Sequence, residues 1–189
     1  MKIPVNISNH HVHLTKEHYE ILFGKEEFKI ERYLTQPGMF ASASFVTIET
    51  EKSRIEHVRV LGPLRSYTQV EISKTDARKL GLNPPYRNSG DIKDSAPITI
   101  IGPNGTLHLE EGCILANRHI HITEEYAKEL GLVPYQEVSI EIPGEKGGRM
   151  DHVVIRPTKE AFFEVHLDTD DGNGFGVGKD TLGELIIHE

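Results

Sequence analysis

The segment Glu71-Ile-Ser-Lys-Thr-Asp-Ala-Arg-Lys-Leu-Gly-Leu82 aligns without gaps on His121-Ile-Thr-Glu-Glu-Tyr-Ala-Lys-Glu-Leu-Gly-Leu132. A looser third copy, one residue longer, runs from His13 to Gly24. Each copy combines an alternating strand, a Ser or Thr placed to cap a helix, an acidic first turn and a terminal Gly. The repeat predicts a strand that turns directly into a short helix at three places.

Strand signals dominate the rest of the chain. Short alternating or apolar runs bounded by Gly, Pro or Asn recur about every 8 to 12 residues, which is typical of small barrels or sandwiches. Helical patterns are fewer, and we expect helices at Lys16–Phe23, Lys74–Leu80 and Glu124–Leu130. The sequence therefore predicts all-β cores with short capping helices.

Composition excludes several classes of protein. The 189 residues allow one large domain or two small ones, and a formal charge of −8 without a Lys/Arg cluster argues against a nucleic-acid binder. We find neither an apolar run long enough to span a membrane nor an apolar signal segment, so we expect a cytoplasmic protein without membrane association. Cys113 is the single cysteine, which excludes an internal disulfide, whereas the eleven histidines need an explanation.

Two histidine pairs lie directly before helix caps of the repeat. They are His11-Val12-His13 and His119-Ile120-His121, and Gln69-Val70-Glu71 occupies the same register in the middle copy. Because residues i and i+2 of a strand share one face, each pair presents two imidazoles side by side, an arrangement that chelates a metal. With one glutamate and a further histidine, the chain has enough donors for two metals. The alternative is a set of surface or hydrogen-bonded histidines.

His166 and Arg65 are the other candidate site residues. His166 opens an acidic segment that does not fit a calcium loop, because the sixth and twelfth positions from Asp168 are Asn173 and Lys179. We interpret His166 as a metal ligand with neighbouring Asp carboxylates, followed by a turn at residues 172–176. Arg65 follows a Gly-Pro turn, and its guanidinium suits an anion; the alternative is a solvated surface arginine.

The segments HHVHLT, LGPLRSYTQVEIS, NRHIHIT and HLDTDDGN together resemble the phosphate propanoyltransferase (PduL-type phosphotransacylase) family of bacterial microcompartments, over nearly the whole chain. The resemblance implies a mainly β protein of two small β-barrel domains capped by short α-helices, residues 1–8 plus 117–189 and residues 9–116, with the active site between them. It also implies two zinc ions per chain and a phosphate contact from Arg65. The implied zinc ligands are His11, His13 and Glu71 for one ion, and His119, His121 and His166 for the other.

The reaction implied by the resemblance is acyl-CoA + phosphate ⇌ acyl phosphate + CoA, with propanoyl-CoA or acetyl-CoA. We expect a homodimer, and the short segment before His11 favours a cytosolic enzyme, or one that enters a microcompartment with a partner. Cys113 lies in an apolar run without an activating base, so we expect a buried structural thiol. The alternatives are a zinc hydrolase of an ester, thioester or amide, and a metal-stabilised binding module without catalysis.

Overall fold

The computed structural model describes residues 1–188, which form two compact units. The central unit comprises residues 10–116, and the split unit joins residues 1–9 to the chain from residue 117 onward. Both units consist mainly of strands with a few short helices, so the predicted fold class is confirmed.

The elements are numbered along the chain. The strands are β1 (Lys2–Ile7), β2 (His11–His13), β3 (Ile30–Tyr33), β4 (Phe40–Glu49), β5 (Arg54–Gly62), β6 (Gln69–Glu71), β7 (Tyr86–Arg87), β8 (Ala96–Ile101), β9 (Thr106–Ala116), β10 (His119–Thr123), β11 (Glu137–Ile142), β12 (Gly148–Thr158), β13 (Glu164–Leu167) and β14 (Leu182–Ile186). The helices are α1 (Lys16–Phe23), α2 (Lys74–Leu80), α3 (Glu124–Glu129) and α4 (Thr169–Gly174).

Six strands of the split unit close a barrel in the order β1-β13-β10-β12-β11-β14. Strand β1 is parallel to β13 and β10 is parallel to β12, whereas the other neighbours are antiparallel. Ile120, Ile140 and Val165 are fully buried in its core. Each such side chain contributes about 1.5–3 kcal/mol when it leaves water. Closure also pairs the strand edges of these six strands.

The central unit closes a second six-stranded barrel. Its strands follow the order β4-β5-β2-β6-β9-β8, and β8 returns to β4, while β3 and β7 pair outside this ring. This barrel has its own core, in which Val12, Val60 and Val70 are fully buried. In each histidine-pair strand, the residue between the two histidines, Val12 or Ile120, points into the barrel core, and the two imidazoles point to the opposite face.

The two barrels share a longer internal repeat than the strand-to-helix corner. The hairpin β4–β5 contains VTIE at 46–49 and RIEHV at 54–58, and the hairpin β11–β12 contains VSIE at 138–141 and RMDHV at 149–153. In both hairpins the register shifts at this point, and His57 and His152 have the same positive φ of 58°. A bulge with a histidine in the left-handed region is thus repeated.

The helices begin where the sequence predicts, with one exception. Helices α1 and α2 have the expected bounds, and α3 ends at Glu129, one residue early. The prediction of a turn at residues 172–176 is wrong for residues 172–174, because these residues belong to α4. The Asp168 side chain accepts a hydrogen bond from the Asp171 N–H and starts the helix despite its glycines. A Cβ on Gly172 would lie 2.4 Å from Ile7 Cδ1, so close packing requires glycine there.

None of the helices within residues 1–188 combines the length and the apolar character that crossing a bilayer demands.

Candidate metal centres and anion site

All six predicted metal ligands lie on four short strands, each of which runs into a capped helix. His13, Glu71, His121 and His166 each stand two residues before the cap, which is Thr15, Ser73, Thr123 or Asp168. Every cap side chain accepts a hydrogen bond from the backbone N–H three residues later, which anchors the end of the strand. Sequence analysis identified three of these corners, and the structure adds a fourth at His166.

In the central unit, strands β2 and β6 bring His11, His13 and Glu71 together. The strands are antiparallel, and His11 lies directly opposite Glu71. The Glu71 carboxylate lies 3.4 Å from His11 Nε2 and 4.0 Å from His13 Nε2, and all three residues are buried. The three residues, here called the two-histidine cluster, offer ligand atoms within 4.8 Å of one another, close enough for one metal ion.

In the split unit, strands β10 and β13 do the same for His119, His121 and His166. His119 lies directly opposite His166 on the neighbouring antiparallel strand. The Nε2 atoms of His119 and His121 are 3.2 Å apart, and the ring centroids of His121 and His166 are 4.6 Å apart. These half-buried residues, the three-histidine cluster, also offer ligand atoms within 4.8 Å of one another.

Burial keeps one histidine of each cluster in the form that binds metal. Burial first, and then neighbouring positive charge, lowers the pKa of His13 and of His119 well below the ordinary value, so both imidazoles are neutral near neutral pH. His119 Nδ1 lies 2.8 Å from the Asn117 carbonyl oxygen; it donates to that oxygen, and this leaves a lone pair on Nε2. A neutral imidazole with its other nitrogen engaged in this way is the usual state of a metal-ligating histidine.

The donor sets fit zinc. Zn²⁺ accepts imidazole nitrogen and carboxylate oxygen, and three protein donors leave one position open in a tetrahedral site. Within residues 1–188, His13 Nδ1 is the one buried side-chain polar atom without a hydrogen-bond partner. A polar, buried and tightly grouped set of donors costs folding free energy unless an ion compensates it, which favours metal binding at this cluster.

Arg65 lies beside the two-histidine cluster, on the loop between β5 and β6. Its backbone N–H donates to the Leu14 carbonyl oxygen at 2.8 Å, which fixes the loop against the end of β2. After burial and the neighbouring His11, its positive charge is a further cause that lowers the pKa of His13. The structure therefore places a fixed cation near a candidate metal site, as an anion-binding site requires.

A hydrogen-bond chain that sequence analysis missed connects Arg65 to Glu71. Arg65 Nη1 donates to Tyr67 Oη at 2.7 Å and to Ser89 Oγ at 3.0 Å. Gln69 Nε2 also donates to Ser89 Oγ, at 2.9 Å, and to Glu71 Oε1 at 2.6 Å. The Ser89 hydroxyl thus accepts from the arginine and from the amide that holds the glutamate.

The acidic partner of His166 differs from the sequence prediction. Asp168 caps α4 and Asp171 pairs with Arg118, whereas the carboxylate on the imidazole is Glu164, whose Oε1 lies 2.8 Å from His166 Nε2. The signal was local, because Glu164 and His166 are i and i+2 on one strand and share a face. Asp170 and Asp171 were closer to the apparent motif but lie on the helix.

One polar contact connects each cluster to a helix. In the split unit Arg118, directly before His119, donates to both carboxylate oxygens of Asp171 on α4 at 2.7 Å. In the central unit His10, directly before His11, lies 3.0 Å from the Asp76 carboxylate on α2. The equivalent contacts tie the start of each histidine-pair strand to the helix that follows the opposite strand.

Cys113 is a buried thiol, as the sequence predicts. It is fully buried on β9, opposite Val70 of β6. Burial raises the pKa of this thiol from 9.0 to about 12, so it is protonated at neutral pH.

Comparison with known proteins gives consistent results. The family model for phosphate propanoyltransferase matches residues 4–178. Curated relatives with the name phosphate propanoyltransferase include proteins from Lachnoclostridium phytofermentans, 43% identical over 97% of this chain and 85% of the relative, and from Rhodobacter capsulatus, 42% identical over 95% and 84%. A third, from Thermotoga maritima, is 46% identical over 90% of this chain and 82% of the relative.

Proposed function

We propose a specific reaction for this chain, which belongs to the phosphate propanoyltransferase family and is therefore an acyltransferase enzyme. It interconverts a short-chain acyl-CoA, propanoyl-CoA or acetyl-CoA, and phosphate with the acyl phosphate and CoA, and it holds two zinc ions, one at each donor cluster. The observation that carries this proposal is the presence of two tight donor clusters and a fixed Arg65 in one family member.

The reaction needs positioning more than activation. A phosphate oxygen forms a bond to the acyl carbonyl carbon, the carbon–sulfur bond breaks, and CoA leaves as a thiolate that takes a proton. Arg65 presents a planar fork of donors to the phosphate, while Tyr67 and Ser89 hold the guanidinium in place. The zinc ions, when bound, supply a Lewis acid for the carbonyl oxygen and a positive charge that favours the leaving thiolate.

The ligands of the two ions follow from the clusters. His11, His13 and Glu71 would hold one ion, and His119, His121 and His166 the other. At His13 and His119, one in each cluster, burial lowers the pKa and so favours the neutral, metal-binding form of the imidazole. The protein supplies no thiolate ligand, because Cys113 is buried and protonated.

The hydrolase alternative is not favoured, because the family to which the chain belongs transfers the acyl group to phosphate. A binding module without catalysis does not agree with membership of an enzyme family. The useful difference between transfer and hydrolysis is the requirement for phosphate.

The deciding experiment is a free-thiol assay of CoA release from propanoyl-CoA and acetyl-CoA, with and without phosphate, on zinc-loaded protein. We expect release only with phosphate. Arg65→Met should lower the second-order rate constant for phosphate by about 100-fold or more, as the loss of a partly buried charge-assisted contact predicts. Arg54→Met is the matched control, because Arg54 is exposed and its ion pair, among residues 1–188, is with the exposed Glu56. Release of thiol at the same rate without phosphate would refute the proposal.

Metal content gives a second test. We expect about two divalent metals per chain in the wild type and about one in either Glu71→Ala or His166→Ala, since each variant removes a ligand from a different cluster. Elemental analysis of the purified proteins measures this directly. One metal or none in carefully prepared wild type would count against the two-ion site.

Assembly and location stay predictions. The homodimer expected from the resemblance is tested by light scattering of the purified chain, and association with microcompartment proteins by co-purification.

A further inference from the structure

One position in each candidate metal site carries a buried polar side chain that the proposed function does not use. In the central unit it is Gln69, and in the split unit it is Glu164. Each stands two residues before the third ligand of its cluster, and each lies directly opposite the second histidine of the pair, His13 or His121. The exposed fractions are 0% and 2%, so both side chains are shut off from water.

Gln69 is fixed at both ends of its amide. Its Nε2 donates to Glu71 Oε1 at 2.6 Å and to Ser89 Oγ at 2.9 Å, and its Oε1 accepts from the Gly90 N–H at 2.7 Å. The orientation of the amide is therefore determined, because only the NH₂ group can donate to a carboxylate. One oxygen of Glu71 is held, and the other is the oxygen that lies nearest His11 Nε2.

Glu164 makes the matching contact in the split unit. Its Oε1 lies 2.8 Å from His166 Nε2, and the carboxylate accepts a hydrogen bond from that ring nitrogen. An imidazole that donates one N–H to a carboxylate keeps the lone pair on its other nitrogen, and its orientation is fixed.

Gln69 and Glu164 differ in hydrogen-bonding character, and the difference matches the metal ligand beside each of them. A carboxylate ligand needs a donor beside it, and Gln69 supplies one; an imidazole ligand needs an acceptor, and Glu164 supplies one. Each site consequently contains one carboxylate, as a ligand in the central unit and as the partner of a ligand in the split unit. Exchanging the two side chains would place two carboxylates together in one site and none in the other.

We propose that Gln69 and Glu164 are positioning residues that set the orientation, and through it the metal affinity, of Glu71 and His166. The proposal rests on the two metal sites of the proposed function. Gln69 also connects its site to the proposed phosphate contact, because Ser89 accepts from both Gln69 and Arg65.

Zinc affinity measured one site at a time tests the proposal. His166→Ala leaves the two-histidine cluster intact, and Glu71→Ala leaves the three-histidine cluster intact, so each serves as a background with one site. In the His166→Ala background, Gln69→Met should weaken zinc binding by about 10- to 100-fold, the usual effect of removing an outer partner of a ligand. In the Glu71→Ala background, Glu164→Met should have the same effect. Methionine has a similar length and leaves the strand face filled.

Two controls separate positioning from general loss of structure. Glu164→Gln should restore most of the affinity that Glu164→Met loses, because a glutamine carbonyl still accepts the His166 N–H. Gln69→Met placed in the Glu71→Ala background should leave zinc affinity unchanged, because the remaining cluster is in the other unit. Circular dichroism confirms that each variant is folded.

The hydrogen bond between Glu164 and His166 can be tested without metal, on chelator-treated protein. Nitrogen-15 spectra of the histidine rings should show a protonated Nε2 at His166 in the wild type and a changed tautomer population in Glu164→Met. If the wild type bound no zinc, the two-ion function would fail, and this spectrum alone would decide the role of Glu164. Folded methionine variants with unchanged zinc affinity, or an unchanged His166 tautomer, would overturn the proposal.

Discussion

Cys113 gives the sharpest test of direct transfer between thioester and phosphate. The thiol is fully buried, and burial raises its pKa from 9.0 to about 12. The difference of three units lowers the thiolate fraction about a thousand-fold, to roughly 10⁻⁴ at a pH near 8. A fully buried thiol that is almost entirely protonated is shielded from the substrate and is a poor nucleophile, so we expect no acyl-enzyme at this residue.

Cys113→Ala should accordingly keep kcat within about twofold of the wild type, with a loss of roughly 1 kcal/mol in unfolding free energy for the deleted sulfur atom. Steady-state assays with propanoyl-CoA and phosphate measure the first quantity, and urea denaturation the second. Alkylation by iodoacetamide, followed by mass spectrometry, should be slow in folded protein and fast in urea. A loss of activity of about a thousand-fold in a folded, metal-loaded Cys113→Ala protein, or an acylated Cys113 trapped by acid quench, would refute the reasoning.

Three other predictions concern the frame around the sites. Burial raises the pKa of Asp76, but the hydrogen bond and charge of His10 outweigh burial, so the pKa is lowered on balance. The ionised Asp76 carboxylate therefore stabilises the fold at any pH above its unfolded pKa. Asp76→Asn should lower the urea midpoint at neutral pH, and the difference from the wild type should vanish as the pH falls through the folded pKa. A double-mutant cycle on Arg118 and Asp171 should give a coupling of about 1–2 kcal/mol, because the pair is bidentate and partly buried, and a coupling near zero would contradict this. Ser89→Ala should raise the KM for phosphate about fivefold, the equivalent of one lost hydrogen bond, and leave the KM for acyl-CoA unchanged; equal changes in both constants would argue against a role in holding the arginine.

Local signals made the metal-ligand clusters predictable. Both histidine pairs are i and i+2 on a strand, and the caps Thr15, Ser73 and Thr123 stand where propensity places them, so a few neighbouring residues determine each corner. Helix α4 was not predicted, because its glycines have low helix propensity. The Asp168 cap favours the helix, and the close approach of Ile7 explains why Gly172 is present in it.

The contacts that hold the metal ligands in place depend on how neighbouring strands pair, and local sequence patterns do not specify this register. Gln69 is significant because it faces His13 and reaches Ser89, and Ser89 lies 24 residues after Arg65. Strand β9 continues through Gly112, whose positive φ of 154° and the hydrogen bond from its N–H to Ser95 Oγ accommodate this position.

The path of strand β1 has a consequence for how the chain folds during synthesis. This strand is synthesised before the central unit, but both of its partners, β13 and β14, lie after that unit, from Glu164 onward. The central barrel is formed by one continuous segment and can close while the backbone groups of β1 are still unpaired. The split barrel therefore closes later than the central barrel can, and the contact of His119 with His166 forms only after β13 has been made. A circular permutation that moves β1 behind β14 would make both barrels contiguous and remove that delay.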